Sequence, residues 1–167
     1  MALTLLRHTR PEGAEGLCYG VSDLPLAVAF EQDLQGVLER LPEVSGIVTS
    51  PLQRCRTLAE RIGGHLSLGV AVSEHWREMD FGRWEGTPWD AIPRAELDQW
   101  AGDFHGFDGH GGESVSALRA RVAAGLDAAQ DGTLIVTHMG CIKAAFVLRG
   151  DPAGWDARLP FGGMVTL

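Results

Sequence analysis

An arginine and a histidine end the first predicted strand, in the stretch TLLRHTRP at residues 4–11. The apolar run at 2–6 predicts a short buried strand, and Arg7 and His8 follow it directly. Arginine carries a planar set of donors that suits the oxygens of an anion. A neutral imidazole can act as a nucleophile. The pair is either a polar strand end without function or two groups that face one anion together.

Polar residues also follow the other predicted strands. They are Ser50, Arg54 and Arg56 after strand 46–49, His75, Arg77 and Glu78 after strand 68–73, and His138 and Gly140 after strand 133–137. In open α/β sheets, ligands bind beyond the carboxyl ends of the strands. Each residue alone has an ordinary explanation as a surface charge or a helix cap. Their convergence on one edge of the sheet favours a shared site.

Strands alternate with helices along most of the chain. Apolar spacing predicts helices at 26–41, 113–130 and 140–149, and MVTL near the end predicts an edge strand. A further helix is predicted to begin with Ser50 as N-cap and Pro51 at N1, and to end at Gly63-Gly64. This order predicts an α/β fold, a three-layer α/β/α sandwich with a mainly parallel sheet, in a single domain over 1–167.

Residues 74–112 interrupt that alternation. This segment, called the excursion below, is rich in glycine and aromatic residues and contains the glycine-rich hinge GFDGHGG. We expect one or two short helices within it, at about 88–100. A long segment of this kind can form a lid or wall over the active-site edge of a sheet.

Composition limits the class of protein. The 167-residue chain carries a formal charge of −8, which argues against non-specific nucleic-acid binding. No apolar run reaches the length of about 20 residues that a membrane span needs, and the start does not have the pattern of a signal peptide. Three widely spaced cysteines favour reduced thiols. We therefore expect a cytoplasmic protein without membrane or nucleic-acid partners.

Several motifs resemble those of the histidine phosphatase superfamily, the phosphoglycerate-mutase-like enzymes. They are LLRHT, TSPLQRCRTLAE, REMDFGRWEG, GGES and LIVTHMG, in the order typical of that superfamily. The resemblance implies that His8 is a nucleophile that forms a phosphohistidine, and that Glu78 serves as acid and then as base. It also implies that Arg7, Arg54 and His138 hold the phosphoryl oxygens. Arg54 is preferred to Arg56 because it matches the arginine of TSPLQR.

The chain departs from that superfamily in ways that affect function. Thr9 stands where glycine usually follows the histidine, and Met139 replaces a common glycine. The chain contains no asparagine, so the phosphate contact that many members make with Asn falls to Ser22 or to a backbone amide. The excursion and C-terminus are short, which predicts a phosphatase rather than a mutase. No metal or other cofactor is expected.

The stretch GLCYGVSDLPL at 16–26, called the 16–26 loop below, resembles α-ribazole phosphatases of cobalamin biosynthesis. The resemblance implies a small phosphomonoester substrate, α-ribazole 5′-phosphate or a related cobamide precursor. Trp84, Trp89 and Phe81 either stack on its base or pack the excursion. The alternatives are a broad-specificity phosphatase for sugar phosphates or nucleotides, a phosphoglycerate mutase, and a catalytically silent phosphate-binding module. A homodimer is an open alternative for the oligomeric state.

Overall fold

Five strands form one sheet at the centre of the computed structural model, which describes residues 2–167. The strands are β1 (Thr4–Arg7), β2 (Gly46–Thr49), β3 (Val70–Val72), β4 (Thr133–Thr137) and β5 (Met164–Thr166). Their spatial order is β3-β2-β4-β1-β5, and only β5 is antiparallel to its neighbour. Arg7 pairs with Thr137 in register. The strand ends therefore deliver His8 and His138 side by side.

Helices cover both faces of this sheet. They are α1 (Phe30–Leu38), α2 (Gln53–Leu66), α4 (Val115–Ala128) and α5 (Met139–Leu148), whereas α3 (Arg94–Gly102) lies in the excursion. Leu6 packs with α1 and α2, whereas Leu5 packs with α4 and α5, because successive strand side chains point to opposite faces. The predicted three-layer sandwich with an edge strand at the C-terminal end is confirmed. No described helix has both the length and the apolar character that crossing a membrane requires.

The prediction for the start of α2 was wrong. The helix begins at Gln53, so Pro51 is not its first residue and Ser50 is not its N-cap. The cap comes instead from the 16–26 loop, where Asp23 Oδ1 accepts a hydrogen bond from the Gln53 amide at 2.8 Å. Ser50 turns toward His138, whose Nε2 lies 2.7 Å from the serine Oγ. A contact distant in sequence thus replaces the expected local cap.

The prediction for the end of α2 was also wrong. The helix continues through Gly63-Gly64 to Leu66, and Ser67 then adopts a left-handed φ of 57°. A Cβ at Gly63 would come within 2.8 Å of both the Leu68 carbonyl oxygen and Val70 Cγ2. Glycine is required here because the helix passes very close to the segment that enters β3. α1 is also shorter than predicted at both ends, because it begins at Phe30 and not at 26 and ends at Leu38 and not at 41.

The excursion forms a wall above the carboxyl edge of the sheet. It contains α3 and three short 3-10 helices, at Glu74–Trp76, Gly82–Trp84 and Trp89–Ala91. The expected short helices at about 88–100 correspond to Trp89–Ala91 and α3. Its own small core consists of Cys18, Trp84, Ile92 and Phe107. Cys18 belongs to the 16–26 loop, so the loop and the excursion share this core.

Candidate active site

His8 is buried at the end of β1, with 2% of its surface exposed. Its Nδ1 lies 2.7 Å from the carbonyl oxygen of Thr9. A carbonyl can only accept, so Nδ1 carries the hydrogen and Nε2 keeps its lone pair. Burial above all, and the nearby Arg54 guanidinium, lower the pKa of His8 to about 3. The imidazole is therefore neutral at neutral pH, which is the form that can attack an electrophile.

Protonation of His8 links the pH to the stability of the fold. Its pKa falls from 6.5 to about 3 on folding, so between these values the unfolded chain binds more protons. The contribution of His8 to the free energy of unfolding is fully present above about pH 6.5 and is lost as the pH falls toward 3. We expect His8 to account for a loss of about 2 kcal/mol between pH 7 and pH 5. Urea unfolding of His8→Asn should show a pH dependence that is weaker by this amount.

A matched variant controls for the histidine change itself. His65 lies exposed near the end of α2. His65→Asn should leave the pH dependence of unfolding as it is in the wild type. An unaltered pH dependence in His8→Asn would contradict the shifted pKa.

His138 follows β4 and lies behind His8. The two ring centroids are 5.1 Å apart, with an angle of 61° between the planes. Burial first, and then Arg54 and His8, hold the pKa of His138 well below its usual value. Its Nε2 contacts Ser50 Oγ, and Cys55 Sγ lies 3.4 Å from the same nitrogen. The His138 ring thus packs against the His8 ring. It does not itself line the pocket described below.

Arg7 is held by the C-terminal segment. Its Nη1 donates to the Leu159 carbonyl oxygen at 2.7 Å, and its guanidinium carbon lies 3.9 Å from the centre of the Phe161 ring. The Phe161 ring also lies 5.6 Å from the His8 ring. Arg7 Nε is buried and has no acceptor among residues 2–167.

Arg54 is completely buried in the first turn of α2. Its Nη1 donates to the Ser22 carbonyl oxygen at 2.6 Å, and its Nη2 donates to the Gly20 carbonyl oxygen. Its Nε, like that of Arg7, finds no acceptor in the described part of the chain. Arg56 instead lies at the surface, in an ion pair with Glu60 at 2.8 Å. The preference for Arg54 over Arg56 therefore agrees with where the structure places them.

Glu78 belongs to the excursion and lies half-buried against the start of α5. Its Oε1 accepts from the Met79 amide at 2.9 Å, and its Oε2 accepts from the Gly140 amide at 3.0 Å. A Cβ at Gly140 would lie 2.3 Å from Glu78 Oε1, so glycine is needed for the carboxylate to approach. His75 is exposed, and Arg77 pairs with Glu74, so neither joins the site.

A pocket of about 340 Å³ joins these groups. Four of the five predicted site residues line it, namely Arg7, His8, Arg54 and Glu78. Aromatic side chains form much of the remaining wall, namely Tyr19, Phe81, Trp89, Trp100, Phe104 and Trp155. The pocket lining thus combines cationic and carboxylate groups with a largely aromatic wall.

The sequence profile of the Histidine phosphatase superfamily (branch 1) matches residues 3–156. The chain belongs to this superfamily. It is 28% identical over 168 residues to the uncharacterized phosphatase PhoE of Bacillus subtilis, covering 95% of this chain and 83% of that one. It is 31% identical over 170 residues to the probable phosphoglycerate mutase GpmB of Salmonella choleraesuis, covering 93% and 78%.

A solved structure agrees with this membership. The chain superposes on phosphoglycerate mutase from Thermus thermophilus with a TM-score of 0.83 and 30% identity, covering 100% of this chain and 92% of that one. Names of phosphatases and of mutases thus both occur among similar proteins. Membership in the superfamily establishes a phosphatase-like or mutase-like protein without choosing between the two.

The structure shows the surroundings of two departures from the usual superfamily motif, Thr9 and the missing asparagine. Thr9 is buried, and its carbonyl holds His8 Nδ1 while its methyl group faces Gly162. Ser22 was one candidate for the contact of the missing asparagine, but its hydroxyl donates to Glu85 at 2.5 Å and lies outside the pocket lining. Tyr19 is the residue of the 16–26 loop that brings a polar side chain into the pocket.

Sequence reasoning missed Tyr19, Lys143 and Phe161. Lys143 lines the pocket from α5 and is half-buried, and burial lowers its pKa. A spacing of four residues from Met139 places both on one helix face, which is a signal the sequence contained. For Trp84, the structure agrees with the alternative that it packs the excursion, because it is 2% exposed and does not line the pocket. Its ring stacks on Phe107 and cannot receive a ligand.

Proposed function

We propose that this protein is a metal-independent phosphomonoesterase that works through a phosphohistidine on His8. One observation carries the proposal. The neutral His8 imidazole, with a lone pair on Nε2, lines a pocket that also contains two guanidinium groups and a carboxylate. A phosphomonoester dianion needs its charge neutralised before a nucleophile can attack it. Arg7 and Arg54 supply that neutralisation, and each has a buried donor that no protein atom satisfies.

The reaction proceeds in two displacements. His8 Nε2 attacks phosphorus, a nitrogen–phosphorus bond forms, and the bond to the leaving oxygen breaks. Glu78, as the acid, gives its proton to that oxygen and the alcohol departs. The Glu78 carboxylate then takes a proton from water, whose oxygen attacks the phosphohistidine. Inorganic phosphate leaves, and His8 returns to its neutral form with Glu78 protonated.

A phosphatase fits better than a mutase. A mutase must retain and reorient a phosphorylated intermediate, which longer insertions over the site help to do. The excursion of this chain consists of α3 and short 3-10 helices, and the pocket has a volume of about 340 Å³. Without such insertions, a released alcohol is not retained, which favours hydrolysis of the phosphohistidine.

The aromatic wall supports a substrate that carries a flat ring, such as α-ribazole 5′-phosphate. Trp89 and Trp100 stack with centroids 6.3 Å apart and planes at 16°, and Trp100 stacks on Phe104 in the same way at 5.9 Å. Trp89 is 37% exposed, so part of its ring is open to a ligand. An aromatic base can pack on this row while its phosphate reaches His8. The resemblance of the 16–26 loop to α-ribazole phosphatases supports the same substrate.

Trp89→Ala tests the aromatic wall. We expect KM for α-ribazole 5′-phosphate to rise about tenfold, because an aromatic contact contributes about 1 kcal/mol beyond the area it buries. Hydrolysis of glycerol phosphate, which has no ring, serves as the matched control and should change less than about twofold. Steady-state kinetics on both substrates make the comparison. Equal losses on both would mean that Trp89 supports the excursion and not the substrate.

A substrate panel tests the function itself. Phosphate release is measured in EDTA with α-ribazole 5′-phosphate, sugar phosphates, nucleotides and 3-phosphoglycerate. A strong preference for α-ribazole 5′-phosphate supports the chemistry and the substrate together. Similar slow rates on many esters keep the chemistry and favour a broad-specificity phosphatase. Absence of release from every ester would overturn the proposal, and absence of phosphoryl transfer as well would favour a phosphate-binding module.

Lys143 favours a second candidate, an ester that also carries a carboxylate. Its ammonium group lines the pocket, and no carboxylate of residues 2–167 lies within 4.0 Å of it. A phosphoglycerate-like substrate would place its carboxylate opposite this cation. The 3-phosphoglycerate reaction should therefore be followed both for release of phosphate and for transfer to 2-phosphoglycerate. Transfer without release would identify a mutase.

A further inference from the structure

Glu85 binds the 16–26 loop through its carboxylate. Oε1 accepts from the Val21 amide at 2.9 Å, and both oxygens lie 3.0 Å from the Gly20 amide nitrogen. Oε2 accepts from the Ser22 hydroxyl at 2.5 Å. The Phe81 amide donates to Oε1 at 3.2 Å from within the excursion. One carboxylate thus joins the loop to the excursion, and it does so outside the pocket lining.

Arg54 binds two of these three loop residues. Its two terminal nitrogens donate to the carbonyl oxygens of Gly20 and Ser22. The Arg54 guanidinium is completely buried, and among residues 2–167 these two carbonyl oxygens are the acceptors of its hydrogen bonds. The position of the loop therefore sets the orientation of Arg54 in the pocket.

The peptide group between Gly20 and Val21 is bound at both ends. Its carbonyl oxygen accepts from Arg54, and its N–H donates to Glu85. The N–H and C=O of a trans peptide point in opposite directions, so the negative and positive groups both align with its dipole. Ser22 repeats the pattern with its hydroxyl and its carbonyl. Hydrogen bonds connected in this way reinforce one another in a buried setting.

We propose that Glu85 is a positioning residue for catalysis, which fixes the 20–22 backbone so that Arg54 is held ready for the phosphoryl group. Glu85 acts through Arg54 and touches no substrate. Glutamine replaces it imperfectly, because it carries no charge and its amide nitrogen cannot accept from the Gly20 amide or the Ser22 hydroxyl as Oε2 does. The inference rests on the proposed phosphatase function of the pocket.

A double-mutant cycle tests this coupling. Glu85→Gln should lower kcat/KM about 10- to 100-fold, because a small displacement of a positioned group has an effect of this size. It should also raise the Kd for inorganic phosphate about tenfold. In an Arg54→Met background, the same change should alter both quantities less than about twofold. A role confined to stability would give equal losses in both backgrounds.

Two further variants keep the test interpretable. Glu96→Gln changes a carboxylate of the excursion that binds Arg83 and Trp84 but not the loop, and it should leave kcat/KM within about twofold. Ser22→Ala removes one hydrogen bond to Glu85, and its smaller loss of kcat/KM should also vanish with Arg54→Met. This variant replaces Glu85→Gln if that chain fails to fold.

Failure of the inference and failure of the proposed function give different results. If the wild type hydrolyses no phosphomonoester, the proposed function fails, while calorimetry of inorganic phosphate binding still measures the coupling between Glu85 and Arg54. If the wild type is active and the losses in Glu85→Gln and Arg54→Met simply add, the positioning role of Glu85 is overturned and the phosphatase stands.

Discussion

His8→Ala should lower phosphatase turnover by at least about a thousandfold, because removal of a nucleophile closes the route through a covalent intermediate. Arg7 and Arg54 remain in this variant, so the Kd for inorganic phosphate should change less than about tenfold. Turnover is measured by phosphate release and binding by calorimetry. A rapid quench with mass spectrometry should detect a phosphorylated peptide containing His8 in the wild type alone.

His65→Ala is the matched control, since that histidine lies exposed on α2 and away from the pocket. It should keep turnover within about twofold of the wild type. Unchanged turnover in His8→Ala would remove His8 as the nucleophile. Loss of both turnover and phosphate binding would point to collapse of the pocket, which the unfolding transition of the variant would reveal.

Glu78→Gln should separate substrates by their leaving groups. An alkoxide needs a proton as it departs, whereas p-nitrophenolate departs almost unaided. For an alkyl phosphate we expect kcat/KM to fall about 100- to 10,000-fold, the range that general acid catalysis contributes. For p-nitrophenyl phosphate the fall should stay below about tenfold. The parameter kcat/KM is the correct one, because it reports only the steps up to formation of the phosphohistidine.

The exposed Glu74 provides a comparison four residues upstream, where it pairs with Arg77. Glu74→Gln should affect neither substrate by more than about twofold. Equal losses of kcat/KM on both substrates in Glu78→Gln would count against the acid role. The later base role has a separate signature, because an impaired attack of water lets the phosphohistidine accumulate whatever the leaving group was.

Local patterns in the sequence determined the sandwich and most of the candidate site. Buried runs such as GIVT at 46–49 and TLIVT at 133–137 coincide with β2 and β4, because a run of apolar residues covered on both faces has few alternatives. Arg7 and His8 directly follow one predicted strand, and Glu78 comes five residues after another, so the topology of a parallel sheet brings them to one edge. Arg54 could be distinguished from Arg56 only by its place in a motif.

Contacts between distant segments decided the rest. Ser50 turns to His138 and leaves the cap of α2 to Asp23, and Gly63 continues a helix because the segment before β3 passes too close for a side chain. Neither outcome can be read from neighbouring residues, since each depends on what lies across the fold. The same holds for the hydrogen bonds by which Glu85 and Arg54 both hold the 16–26 loop. A buried charged group must find hydrogen-bonding partners, and those partners decide what it can do. Only the tertiary structure shows which partners these are.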